Sequence, residues 1–206
     1  MKIIDYHAHL GWDQKRDVYL GNELLEDMDQ NGIEKRLVSA LYGYEINEQN
    51  DAVAELVKAH PDRIIGSAVI NPKERNCVDE VKRIIDTGCF KAIELDSMEH
   101  CYVPETCLNL DEVISTASEA GLIVNVFTGW GPRTMPAQWA YYAKKYPSMK
   151  MVLLHMGTTD FGYGCIDLVK NTPNLWDETS GMYEFPILRR AFANIDETHF
   201  LFGTHY

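Results

Sequence analysis

The segment Asp5-Tyr6-His7-Ala8-His9 sets two imidazoles one residue apart. In an extended strand, residues two apart project to one face, so His7 and His9 aim together. Two imidazoles at that spacing can chelate one divalent ion. Asp5 has the same parity, which predicts that its carboxylate orients one of the rings from behind. The alternative is a pair of core histidines hydrogen-bonded to backbone carbonyls. Glu94 and Asp96 are a second pair of shared parity. They can bind metal or substrate where they point inward, and otherwise form a charged loop entrance. In Gly129-Trp130-Gly131-Pro132-Arg133, Arg133 can hold a substrate carboxylate in a bidentate fork and Trp130 can stack on a planar ring. An exposed arginine and a loop-packing tryptophan are the plain alternatives. Gly162-Tyr163-Gly164 has no Lys-Ser or Lys-Thr after it, so no nucleotide site is expected. His60, His100 and His199 are expected to be structural or solvent-exposed.

The elements that must carry these residues alternate along the chain. Eight β-rich runs are expected at 2–7, 35–41, 63–70, 91–95, 122–127, 150–155, 174–179 and 198–202. Between them lie seven stretches with apolar residues at helical spacing, such as Leu20-Leu24-Met28 and Val78-Val81-Ile85. Asn31-Gly32, Thr87-Gly88 and Ala120-Gly121 end three of these where a left-handed cap is useful, and His60-Pro61 and Tyr146-Pro147 end two more. Runs with little polar alternation, such as Met151-Val152-Leu153-Leu154, suit a parallel sheet buried on both faces. Eight strands alternating with helices in 206 residues fit a single (β/α)8 TIM-type barrel over 1–206, lacking a helix after the eighth strand. A doubly wound open sheet uses the same alternation and is the competitor. In a barrel the strands' C-terminal ends form the mouth where active sites sit, and that is where His7, His9 and Glu94 fall.

Composition narrows the partners. Lys and Arg total 19 against 31 Asp and Glu, a net charge of −12, which leaves no basic footprint for duplex nucleic acid. No unbroken apolar run exceeds five residues (Trp139 to Ala143), too short to span a membrane. Asp5 interrupts the apolar start, so no secretory signal is expected. Five cysteines without a Cys-x-x-Cys pair argue against a disulfide framework and for a reducing, cytoplasmic setting. An 11% aromatic content supplies a core and excludes disorder.

Asp5-Tyr6-His7-Ala8-His9 resembles the first-strand motif of the amidohydrolase superfamily. The chain is similar over nearly its whole length to the amidohydrolase-related group that includes aminocarboxymuconate-semialdehyde decarboxylase. Asn50-Asp51, His60-Pro61-Asp62-Arg63 and Val69-Ile70-Asn71-Pro72 look like that group's second helix and third strand. Lys150 to Gly157 is similar to its sixth strand, Pro173-Asn174 through Thr179-Ser180-Gly181 to its seventh, and Phe202-Gly203-Thr204 to the start of its eighth-strand motif. The resemblance implies a divalent metal at the mouth, most simply zinc, and puts the catalytic histidine on His155. It implies a metal-binding histidine where this chain has Phe127, and a metal-binding aspartate where it has His205. A four-histidine mouth therefore remains, with His7, His9 and His205 expected as ligands and His155 as the proton shuttle.

Three functions compete on these grounds. A metal-dependent hydrolase of a small carboxylate, amide or lactone leads. A non-hydrolytic metal-dependent decarboxylase of the same group is second. A barrel that has lost catalysis and serves as a binding protein is third, and the residues at 127 and 205 speak for it. The expected partner is a small-molecule substrate. The seam between strands eight and one has no covering helix, so its cover is expected from residues outside this sequence or from a partner chain, for which a homodimer is one form.

Overall fold

The computed structural model describes residues 2–43 and 45–206. Eight strands form one sheet: β1 (Ile3–His9), β2 (Ile33–Ser39), β3 (Ile64–Val69), β4 (Phe90–Leu95), β5 (Ile123–Phe127), β6 (Met151–Leu154), β7 (Leu175–Glu178) and β8 (Phe200–Leu201). They pair in chain order and always in parallel. Seven helices lie between them among the described residues: α1 (Gly21–Asn31), α2 (Ile46–Ala59), α3 (Cys77–Thr87), α4 (Leu110–Glu119), α5 (Pro136–Lys145), α6 (Thr158–Lys170) and α7 (Phe185–Asn194). Every expected strand and helix is present. The open doubly wound sheet is excluded, because the order is sequential and the C-terminal segment returns to β1. Tyr6 N–H donates to Phe202 O (2.7 Å), His205 N–H to His7 O (2.7 Å) and His9 N–H to Tyr206 O (2.9 Å). The fold is a nearly closed (β/α)8 barrel.

The strands are made by β-branched and aliphatic residues that are buried on both faces. Ile93, Leu95, Val124 and Val126 pack with Val81, Ile84, Val113 and Ile114 in one buried cluster. Each such side chain contributes about 1.5–3 kcal/mol on leaving water. Gly32 and Gly88 take left-handed conformations at the ends of α1 and α3, as their positions suggest. One element is not visible in the sequence pattern: a short antiparallel hairpin of Trp12–Asp13 with Val18–Tyr19, directly after β1.

Strand parity fails inside β1, and the failure decides what faces the mouth. Asp5 pairs with Arg36 and Ala8 with Val38, so three steps on β1 match two on β2. The extra residue is a β-bulge at Tyr6-His7. Tyr6 reaches into the barrel, where its hydroxyl donates to Asn125 (2.8 Å). His7 turns inward beside it, and Asp5 is left on the outer face. The expectation that Asp5 supports an imidazole is therefore wrong. Its carboxylate instead accepts from Arg36 Nε (2.7 Å), Thr204 Oγ1 (2.6 Å) and Thr204 N–H (2.9 Å). Arg36, 1% exposed, also donates to Asp27 (2.6 Å) and lies 4.5 Å from the centre of the Tyr206 ring. This buried cluster ties the C-terminal segment to β1. The outer side of the seam is still partly apolar and wet, with Phe202 and Phe192 exposed. No described helix is long and apolar enough to cross a membrane.

Candidate metal and catalytic site

Three different local devices bring four histidines together. The bulge in β1 turns His7 and His9 into the mouth, with ring centroids 4.8 Å apart. After β6 the backbone runs through four consecutive residues of positive φ, His155 (64°), Met156 (49°), Gly157 (73°) and Thr158 (47°). Such a conformation costs a non-glycine residue about 1–2 kcal/mol. It is held by Thr128 Oγ1, which accepts from Gly157 N–H (3.0 Å) and donates to Leu154 O (2.6 Å). The turn leaves His155 with its ring 5.0 Å from His7 and 4.8 Å from His205. His205 is itself left-handed (φ 57°), fixed between Thr204 on Asp5 and Tyr206 on Arg36, and stands 4.8 Å from His9. Gly203 lets this segment pass, since a Cβ there would collide with Glu178 Oε1 and His7 Cβ.

Beneath the imidazoles lies Glu178, the last residue of β7 and fully buried. Its carboxylate accepts from His7 Nδ1–H (3.1 Å), His155 N–H (3.2 Å), Ser180 Oγ–H (2.8 Å) and Ser180 N–H (2.5 Å). His155 Nδ1–H donates to Ser180 O (3.0 Å). A carboxylate and a carbonyl only accept, so both rings carry a proton on Nδ1 and turn Nε2 toward the mouth. His9 Nδ1 meets Ser39 Oγ at 2.9 Å, which holds that ring from behind. Sequence reasoning missed Glu178, Ser180 and Ser39. The signal for Glu178 was an adjacent carboxylate pair, Asp177-Glu178, at the mouth end of a strand.

The electrostatics follow from burial and proximity. Burial pulls His9 down to about 3. Burial also lowers His155, with the neighbouring His7 charge adding to it, to about 4. Burial alone would lower His7 too, but Glu178 and Glu94 outweigh it and raise that ring to about 10. Against its own burial, Glu94 is held down to about 2 by His7 and His9. His205 is lowered by burial and by His7.

Of the expected substrate-side residues, Glu94 is drawn into the cluster and the others are not. Glu94 is 3% exposed and its Oε1 lies 3.8 Å from His7 Nε2. Asp96 Oδ1 accepts from Met98 N–H (2.8 Å) and Glu99 N–H (2.9 Å), which shapes the loop after β4. Phe127 stands at the mouth with its ring 5.1 Å from His155. Trp130, 46% exposed, is 6.1 Å from Phe127. Arg133 is exposed on the same loop, its backbone oxygen accepting from Ser97 Oγ (2.7 Å).

The donor set suits a divalent ion. His7 Nε2 and His9 Nε2 are both buried and have no hydrogen-bond partner. Two groups of three donors overlap here, His7–His155–His205 and His7–His9–Glu94, each with its ligand atoms within 4.8 Å of one another. Imidazole and carboxylate together are the usual ligands of zinc and similar ions.

Comparison with solved structures gives the same barrel repeatedly. 5-carboxyvanillate decarboxylase from Sphingomonas paucimobilis aligns with 100% of this chain and 88% of its own, at a TM-score of 0.76 and 15% identity. A probable 2-pyrone-4,6-dicarboxylic acid hydrolase from Acinetobacter baumannii aligns with 100% of this chain and 84% of its own (TM-score 0.72, 14% identity). For 4-oxalomesaconate hydratase from Rhodopseudomonas palustris the figures are 98% and 81% (TM-score 0.73, 16% identity). At such identities the likeness establishes the fold and not the reaction. A comparison with curated proteins finds no match. The amidohydrolase family description matches residues 4–206, which takes in all four histidines of the mouth and both carboxylates. By that match, the chain belongs to the amidohydrolase family.

Proposed function

We propose that the chain is a metal-dependent hydrolase of small organic acids, amides or lactones, working at the four-histidine mouth. The observation that carries this is the pair of buried, unpaired Nε2 atoms on His7 and His9. Leaving such atoms unsatisfied costs about 1–3 kcal/mol each, and a bound cation removes that cost. A divalent ion, most simply zinc, would be held by His7 and His9 with a third donor from the groups around them. When bound it supplies Lewis acidity, polarising a carbonyl and making water acidic enough to attack near neutral pH.

The chain's own residues do the rest. His155, with its proton fixed on Nδ1 by Ser180 O, has a free Nε2 that takes a proton from the attacking water and returns it to the leaving group. Glu178 fixes the His7 proton on Nδ1 and anchors the His155 backbone. Phe127 and Trp130 form an apolar wall for a planar substrate, and Arg133 at the rim meets a carboxylate. The three solved structures named above are described as a decarboxylase, a hydrolase and a hydratase, and each name carries a small organic acid. That supports the substrate class. Five free cysteines support a reducing, cytoplasmic setting.

Decarboxylation is the second reading, and Phe127 favours it. An apolar ring beside a proton donor suits exchange of a carboxylate for a proton on carbon, the C–C electron pair taking up the proton as carbon dioxide leaves. The test is zinc-loaded protein offered small lactones, amides and planar carboxylic acids, with acid release and carbon dioxide followed together. Acid release without carbon dioxide, lost on chelation, is expected. Carbon dioxide from the acids replaces the first reading with the second. No turnover by a protein that binds no divalent ion leaves the barrel as a binding protein.

A further inference from the structure

The two donor groups share His7, and His7 has only one nitrogen to give. Its Nδ1 is committed to Glu178 at 3.1 Å, with Ser180 Oγ at 3.2 Å, so only Nε2 faces the mouth. One ion at most can therefore sit on His7, and the question is whether its further donors come from His155 with His205 or from His9 with Glu94. We infer that Glu94 is the third protein ligand, completing a His7–His9–Glu94 set, and that His155 and His205 stand outside it, facing the substrate. This rests on the metal-dependent reading above and assigns the ligands within it.

Four observations favour that choice. Both orphaned buried nitrogens, His7 Nε2 and His9 Nε2, are used by this set, whereas the other leaves His9 Nε2 buried without a partner. Glu94 is a nearly fully buried carboxylate, and a buried anion needs a cation or several donors to be tolerated. With Glu178 beneath it, the mouth carries two buried carboxylates, whose charge a divalent ion balances. His7 Nε2 and Glu94 Oε1 are 3.8 Å apart. That is near the separation of roughly 3.4 Å between two donors bonded to one tetrahedral zinc at about 2.0–2.1 Å. His205, by contrast, is exposed, and His155 sits on a strained turn. Both are free to meet a substrate, and three protein ligands leave a coordination position open for it.

The choice separates residues that hold the ion from residues that move protons, which zinc titration of the full-length chain can read without any substrate. Zinc affinity is measured by calorimetry or chelator competition for the wild type, Glu94→Gln, Glu94→Asp, His155→Ala and His205→Ala, with thermal unfolding of each metal-free protein as the folding control. Glu94→Gln is expected to bind zinc at least about tenfold more weakly, given the carboxylate it loses, while His155→Ala and His205→Ala stay within roughly threefold of wild type. Glu94→Asp, which keeps the charge, is expected to fall between. Wild-type affinity in Glu94→Gln overturns the inference. So does a loss in His155→Ala or His205→Ala as large as that in Glu94→Gln, which would assign the ion to the other group while leaving the metal-dependent reading intact. A wild type that binds no zinc overturns both.

Discussion

At the scale of single residues, the mouth is organised by the carboxylate underneath it. Glu178 fixes the proton position on His7 and helps to hold His155, and Ser180 links the two rings. Glu178→Gln removes the negative charge and turns an acceptor into a donor facing His7 Nδ1–H. Zinc affinity is expected to fall by about 10–100-fold, the usual cost of losing a group that orients a metal ligand. Ser180→Ala should cost less, since Glu178 still accepts from His7. Unchanged affinity in Glu178→Gln would mean that something else sets the tautomers. Protons and metal compete for His7 Nε2, which Glu178 and Glu94 make more basic, so zinc affinity should weaken steadily as pH falls below about 10. The four histidines were legible from strand position and from the family resemblance, because His-x-His and a strand-end histidine are local signals. Glu178 was less so. Its role depends on β7 lying beside β6 and on Ser180 folding back, and neither is written in the residues next to it.

At the scale of elements, strand boundaries were legible because apolar runs and their stops are local, and the seven helices followed from 3.6-residue spacing. The bulge in β1 was not, since one extra residue in a strand changes no composition and breaks no run. It reverses the parity of everything before it, which is why Asp5 was expected on the wrong face. β7 has a related oddity. Glu178 points into the mouth, so its neighbour Asp177 lies on the opposite face. Both Asp177 carboxylate oxygens are buried without a partner. Burial, with the Glu178 charge adding to it, raises this carboxyl to about 8. The unfolded chain ionises Asp177 near pH 4, so the folded state alone keeps the proton between about pH 4 and 8. Its contribution to stability is full below pH 4 and is lost as pH rises toward 8. Asp177→Asn mimics the neutral acid and carries no such loss. The variant should melt a few degrees (about 4) above wild type at pH 7–8 and converge with it near pH 4. A difference that does not change with pH would show that Asp177 is ionised and paired in the folded protein.

At the scale of the whole molecule, the barrel closes through a handful of contacts rather than through a long ladder. β8 is only two residues long, and three backbone bonds carry the last segment onto β1. The sequence suggested a seam short of cover, to be supplied by residues outside it or by a partner chain. What the pattern could not convey is that a buried Asp5–Arg36 pair, reaching Thr204, Asp27 and Tyr206, already fastens the seam from outside. Asp5 and Thr204 alone are 199 positions apart, and no local spacing links them. Asp5→Asn should test the clamp. Arg36 would keep Asp27 but lose its shortest fully buried partner, and Thr204 would lose a charged acceptor. Breaking a buried pair from one side typically costs about 3–5 kcal/mol, so a large drop in the unfolding midpoint is expected. The loss should also be local before it is global. Amide exchange should quicken first at Tyr6, His9 and His205, whose N–H groups make the closing bonds. Uniform quickening across all strands would mean that Asp5 supports the barrel as a whole and has no special hold on the C-terminal segment.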